Sequence, residues 1–110
     1  MDLVTEGYRL TQKFPDTERF GLVSQLRRAS VSVPSNIAEG YGRGSTADYV
    51  RFLRASRGSL YEADTQLLIA SRLGFISQSE YEGILERIND CGRLLAARIR
   101  TLNDKDLEQR

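Results

Sequence analysis

Apolar side chains recur every three or four residues along most of this chain, and no strand signal competes with that spacing. The central segment shows it best: Leu22, Val23, Leu26, Ala29, Val33, Ile37 and Tyr41 fall on one helical face. The positions between them are small, namely Ser30, Ser32, Ser35, Ala38 and Gly40, so a neighbouring helix can approach closely. This segment is expected to be the central rod of a bundle. Pro34 stands inside it. There it removes a backbone donor and leaves the Ser30 carbonyl without its helical partner, at a cost of roughly 3 kcal/mol. The apolar stripe keeps its phase across Pro34, so a kinked continuous helix is expected rather than a fresh start. The hydroxyls of Ser30, Ser32 and Ser35, or water, are the expected partners of the freed group.

The remaining elements follow from the same spacing and from end signals. A short helix is predicted over residues 2–12, with Leu3, Val4, Tyr8 and Leu10 apolar. Phe14-Pro15 ends it, because the residue before proline is pushed out of the helical region. Asp16 or Thr17 is the expected cap of a second helix over about residues 18–41. Gly42-Arg43-Gly44 forms the turn, and Ser45 caps a third helix over 46–73, with Asp48 at the capping-box position. Tyr49, Phe52, Leu53, Leu60, Ala63, Leu67 and Ala70 mark its apolar face, and Gly74 closes it. Ser77 and Glu80 make a capping box for a fourth helix striped by Tyr81, Ile84, Leu85, Ile88, Cys91, Leu95 and Leu102. The charged tail from Asn103 to Arg110 is expected to fray.

Four helices on short connections predict an all-α, up-down antiparallel four-helix bundle, a single domain over residues 1–110. The last three helices are predicted at about 36–42 Å each, at 1.5 Å per residue. The first is less than half as long. The groove between the second and fourth helices is therefore expected to be partly uncovered, and an exposed apolar groove predicts self-association or a docked partner.

Composition narrows the function. With 110 residues the chain can bury roughly two-thirds of its unfolded surface. It holds no run of some eighteen apolar residues, so no membrane span or membrane partner is expected. The start lacks a basic-then-apolar signal, and the single cysteine, Cys91, fits a reducing compartment, so a cytoplasmic location is expected. There is no histidine, which removes the commonest general base and a leading metal ligand. Cys91 has no histidine to activate it, and the acids do not repeat in a di-iron pattern. No catalysis, metal or other cofactor is expected.

Net charge is +1, but it is unevenly spread. Between Arg19 and Tyr61 seven arginines meet only Glu39 and Asp48. Arginine favours planar, bidentate contacts with carboxylate or phosphate. Arg27, Arg28, Arg43, Arg51 and Arg54 are accordingly the candidate nucleic-acid-binding residues. Ion pairs from Arg27 and Arg28 to Glu62 or Asp64 are the competing role, as is a solvated charged face for Arg43, Arg51 and Arg54. The turn Gly42-Arg43-Gly44-Ser45-Thr46 is no Walker-type loop, since no lysine precedes Ser45 and it follows a helix. Its helix start can still attract an anion. Asn36 and Glu39 are expected to form a buried polar pair.

The blocks SQLRRA, PSNIAEG and RGSL, within FPDTERFGLVSQLRRASVSVPSNIAEGYGRGSTADYVRFL and ARGSLYEADTQLLIASRLGFIS, closely resemble the four-helix proteins encoded in bacterial 23S rRNA intervening sequences. The resemblance covers Tyr8 to about Ile99. More loosely, it extends to the accessory variability proteins of diversity-generating retroelements. It implies a four-helix bundle assembled as a ring-shaped homopentamer. It also implies, from the retroelement relatives, a basic surface that binds RNA or DNA and a protein partner such as a reverse transcriptase. Those relatives are strongly basic and this chain is nearly neutral. Family members also carry about a dozen further residues of helix one. The alternative implied function is an interaction scaffold that binds a protein without touching nucleic acid.

Overall fold

A computed structural model describes residues 2–108, with side chains from 3 to 105. Four helices form, α1 (Asp2–Thr11), α2 (Leu22–Gly42), α3 (Thr46–Arg72) and α4 (Gln78–Glu108), and no strand is present among the described residues. They pack as the predicted antiparallel bundle, a rod of 52 × 24 × 18 Å. The helices are arranged cyclically. α3 packs between α2 and α4, and α1 packs between them on the opposite side.

The closest packing joins α2 to α3. A Cβ added at Gly40 would lie 2.6 Å from the Phe52 Cβ and 3.3 Å from the Tyr49 carbonyl, so the backbones meet where a side chain is missing. Ala29 and Val33 on α2, with Val50, Leu53, Ser56, Leu60, Ala63, Leu67 and Ala70 on α3, fill the seam. Leu26, Leu53, Leu60 and Leu67 are almost wholly buried, each contributing about 1.5–3 kcal/mol. Ile84, Ile88, Leu95, Ile99 and Leu102 bring α4 onto the same core.

Pro34 lies inside a continuous α2, as the unbroken stripe predicts. The hydroxyls are used differently from expectation. Ser30 donates back to the Leu26 carbonyl at 2.8 Å, one turn away from the proline, because a helical serine reaches its own i−4 carbonyl most easily. The hydroxyl at the proline turn comes from α3, where Ser56 donates to the Val33 carbonyl at 2.8 Å. Ser59 donates to the Ser32 hydroxyl at 3.1 Å, and Asn36 donates to the Ser32 carbonyl and hydroxyl. Asn36 is thus not paired with Glu39, which points outward to Arg43.

Several boundaries shift. Instead of an α-helix from residue 18, a 3-10 turn spans Asp16–Glu18, and α2 begins at Leu22 after Gly21. Gly21, with φ −105° and ψ −106°, interrupts the helix, and neither Asp16 nor Thr17 caps it. Ser45 does cap α3, accepting from the Asp48 amide at 3.1 Å, but the Asp48 carboxylate bonds to Arg51, so the box closes on one side only. The Ser77–Glu80 box closes on both sides, at 3.0 and 2.9 Å. Gly74 ends α3 with φ +80°. α4 is helical from Gln78 to Glu108, past Asn103. Buried Ile99 and Leu102 anchor it there, and no glycine or proline follows to stop it.

α1 runs antiparallel to both neighbours. Gly7 sits against Ser30, Lys13 pairs with Glu80, and Phe14 packs on Phe75 at 5.6 Å to close that end of the rod. Its ten residues cover only the first half of the notch between α2 and α4. Beyond it, Tyr41 is 74% and Leu94 72% exposed.

Two outcomes follow from this packing. Gly40→Ala should lower stability by about 1–3 kcal/mol through the forced contact with Phe52, despite alanine's helix propensity. Gly58→Ala, where a Cβ meets nothing, should instead raise it by about 0.5–1 kcal/mol. Urea unfolding followed by circular dichroism measures both. Lys13 and the Ser77 amide hold the Glu80 carboxyl at about 2, against an ordinary value of 4.5. A folded pKa below the unfolded one gives stability that is present above pH 4.5 and lost as pH falls toward 2. Between pH 5 and 2.5 the melting temperature of Glu80→Gln should therefore fall less than that of the unaltered protein.

Candidate nucleic-acid interface

The five arginines singled out from the sequence do not form one site. Arg27 faces α1: its Nε donates to the Thr11 hydroxyl at 3.0 Å, and its guanidinium lies 4.7 Å from the Tyr8 ring centre. Thr11 in turn donates to the Tyr8 carbonyl. Arg27 therefore docks α1 on α2 and makes no ion pair with Glu62 or Asp64. Asp64 is turned to α4, where it accepts from the Tyr81 hydroxyl at 2.7 Å. That bond and burial push the Tyr81 phenol up to about 12, burial being the larger cause. Arg28 is exposed and enters no ion pair among the described residues.

The other three gather at the far end of the rod. Arg43, at the α2 C-cap, bonds Glu39 at 2.8 Å and lies 5.1 Å from the Phe52 ring centre. Arg51 bonds Asp48 at 3.3 Å and lies 4.5 Å from the same ring. Phe52 thus carries two guanidinium groups, each contact worth about 0.5–1 kcal/mol at an exposed site. The heads stay accessible, at 47% and 62% exposure for Arg43 and Arg51. Arg54 is exposed one turn further along α3. Exposed helical ion pairs of this kind contribute only about 0.3–0.5 kcal/mol, so a phosphate can displace the carboxylates.

The structure adds residues the sequence reading did not select. Because α4 runs antiparallel to α3, its residues 93–105 lie alongside the start of α3. Arg98 stacks 5.8 Å from Tyr49, whose ring meets Tyr41 edge-on at 5.8 Å. These side chains, with Ser45, Thr46 and Leu102, line an open cleft of about 270 Å³ beside the α2–α3 turn. Arg57, Arg93 and Arg100 belong to the same half of the rod. The available signal was register: laying the fourth stripe against the third places residues 93–100 beside 49–57.

The described residues hold no cluster of three histidine, cysteine or acidic side chains that would ligate a metal, and no described helix is long and apolar enough to cross a membrane. Cys91 is half-buried on the α4 stripe, and burial raises its thiol above the ordinary range.

Helix order, packing and charge define an up-down four-helix bundle with one basic half. Residues 1–97 match the family model described as 23S rRNA-intervening sequence protein, and the chain belongs to that family. A crystal structure of a protein with unknown function from the S23 ribosomal protein family of Bacteroides thetaiotaomicron VPI-5482 shares the fold, with a TM-score of 0.76. The two chains are 23% identical, and 87% of each is covered. At that identity the likeness shows the fold alone. No curated protein matches the chain.

The raised thiol predicts that Cys91 reacts slowly with a disulfide reagent at neutral pH. Unfolding in urea should accelerate the reaction at least tenfold, since the thiolate is the reacting form.

Proposed function

We propose that the protein is a non-enzymatic, oligomeric RNA-binding accessory protein of the cytoplasm that turns its basic half to phosphate. The observation that carries this reading is the polarity of the rod. In residues 34–57 and 93–105, Arg43, Arg51, Arg54, Arg57, Arg93, Arg98, Arg100 and Lys105 face only Glu39, Asp48 and Asp104. Near-neutral net charge thus conceals a concentrated basic field at one end. Seven of the eight bases are arginines, suited to bidentate phosphate contacts. Arg28, Arg43, Arg51 and Arg54 remain candidates from the sequence, whereas Arg27 is occupied in docking α1.

The family resemblance supports a homopentameric ring, and exposed Tyr41 and Leu94 beyond α1 are the kind of apolar surface that association covers. In a ring, weak basic patches on successive subunits act together on one strand, which multiplies affinity without new contacts. The second reading is a scaffold for a protein partner, such as a reverse transcriptase, with no nucleic-acid contact. The pairs Arg43–Glu39 and Arg51–Asp48 favour it, because they already neutralise two heads.

Salt dependence separates the two. Anisotropy of labelled structured RNA should show binding that falls steeply from low to near-physiological salt. Arg51→Glu with Arg54→Glu should weaken it about tenfold or more at low salt and make the salt slope shallower by about two counterions. Light scattering on the same sample should show an unchanged oligomer. Unchanged affinity with the oligomer intact would remove those residues from the interface, and no binding at low salt would leave the scaffold.

A further inference from the structure

The seam between α3 and α4 carries a second feature that the Arg43–Arg54 ridge leaves unused. Gly92 is buried on α4, and a Cβ there would lie 3.6 Å from Leu60 and 3.9 Å from the Tyr61 hydroxyl. The Tyr61 phenol therefore lies across the seam over a position with no side chain, while 55% of the residue stays exposed. It walls an open cleft of about 280 Å³ whose other side is Asn89, Arg93 and Ala96. A large exposed aromatic held at a cleft is available to stack.

Both banks of this cleft are basic. Arg57 precedes Tyr61 by one helical turn and Arg54 by two, which places them on the same side of α3. On α4, Arg93 and Arg100 fall with Asn89 and Ala96 on the i, i+4, i+7, i+11 face. The register that sets Tyr61 beside Gly92 and Tyr49 beside Arg98 brings Arg54 and Arg57 level with the turns that carry Ala96 and Arg100. Across residues 54–61 and 89–100 the only acid is Asp90, which bonds Arg93. Arg54, Arg57 and Arg100 make no ion pair among the described residues.

We infer that this groove is a single-strand site, in which Tyr61 stacks an unpaired base and Arg54, Arg57, Arg93 and Arg100 hold the flanking phosphates. The inference rests on the RNA-binding reading and narrows its substrate to unpaired RNA. A duplex hides its base faces and offers Tyr61 nothing to stack on, whereas every unpaired base presents one. The Asn89 amide at the rim has both a donor and an acceptor for a base edge. An acidic peptide would satisfy the arginines but would gain nothing from the ring.

The test compares a fluorescein-labelled, unstructured single-stranded RNA with a duplex RNA of equal length, at one low salt concentration, on the full chain. Tyr61→Ala should weaken single-strand binding about tenfold and leave duplex binding within twofold. Tyr61→Phe keeps the ring and should bind as the unaltered protein does. Arg57→Glu should weaken single-strand binding by a similar factor. If Tyr61→Ala binds single strands normally, the groove assignment falls while RNA binding stands. If it weakens both RNAs equally, Tyr61 supports the fold and does not stack. If a glutamate-rich peptide competes as well against Tyr61→Ala as against the unaltered protein, the groove is a plain anion surface. If the unaltered protein binds neither RNA, this inference falls together with the reading beneath it.

Discussion

The close approach of α2 to α3 is the constraint on which the remaining structure depends. Gly40 has no room for a Cβ, and alanine and serine occupy much of the seam. Small residues lose hydrophobic area, so this contact is held by backbone proximity, by the leucines that flank it and by hydroxyls that reach across. Ser56, wholly buried, finds a partner on the other helix only because the two backbones are near. Burying an unpaired hydroxyl is costly, and pairing it across the seam makes distance and register mutually dependent. The proline turn of α2 sits at this level, so the weakest part of that helix's ladder is braced by its neighbour.

The other helices lean on this pair in unequal ways. α4 packs along most of α3 through a continuous stripe, and so stays helical well past its last leucine in the core. α1 is short and is held by discrete contacts: Arg27 with Thr11 and Tyr8, Lys13 with Glu80, and Phe14 with Phe75. One half of the rod is therefore a complete four-helix bundle, while the other is a three-helix layer with Tyr41 and Leu94 uncovered. The uncovered half is also the basic half. That coincidence joins the two aspects of the proposed function, since the end that offers apolar surface for association also concentrates arginine.

The arginines show how packing assigns roles among chemically identical side chains. Arg27 and Arg28 are adjacent in sequence and both basic, yet one is turned into a helix junction and the other into solvent. A 100° step around the helix separates a structural residue from a surface one. Phe52 likewise anchors two guanidinium groups that are eight residues apart, which only the tight α2–α3 turn allows.

Helix number, type and order were legible in the sequence, because apolar periodicity and end signals such as Ser77–Glu80 and Gly74 act within a few residues. The continuity of α2 through Pro34 followed from the same local rules. The helix start at Leu22 was not legible, since a 3-10 turn and a helical first turn differ by one hydrogen-bond step that Asp16 and Thr17 do not decide. The separation of Asn36 from Glu39 was also decided by packing. The basic half was hidden for a similar reason. Arg54 and Arg57 are distant in sequence from Arg93 and Arg100, and only the antiparallel register of α3 and α4 brings them to one groove. Periodicity is a property of each helix alone, whereas the meeting of charges from two helices depends on the rotation and offset with which their buried stripes interlock.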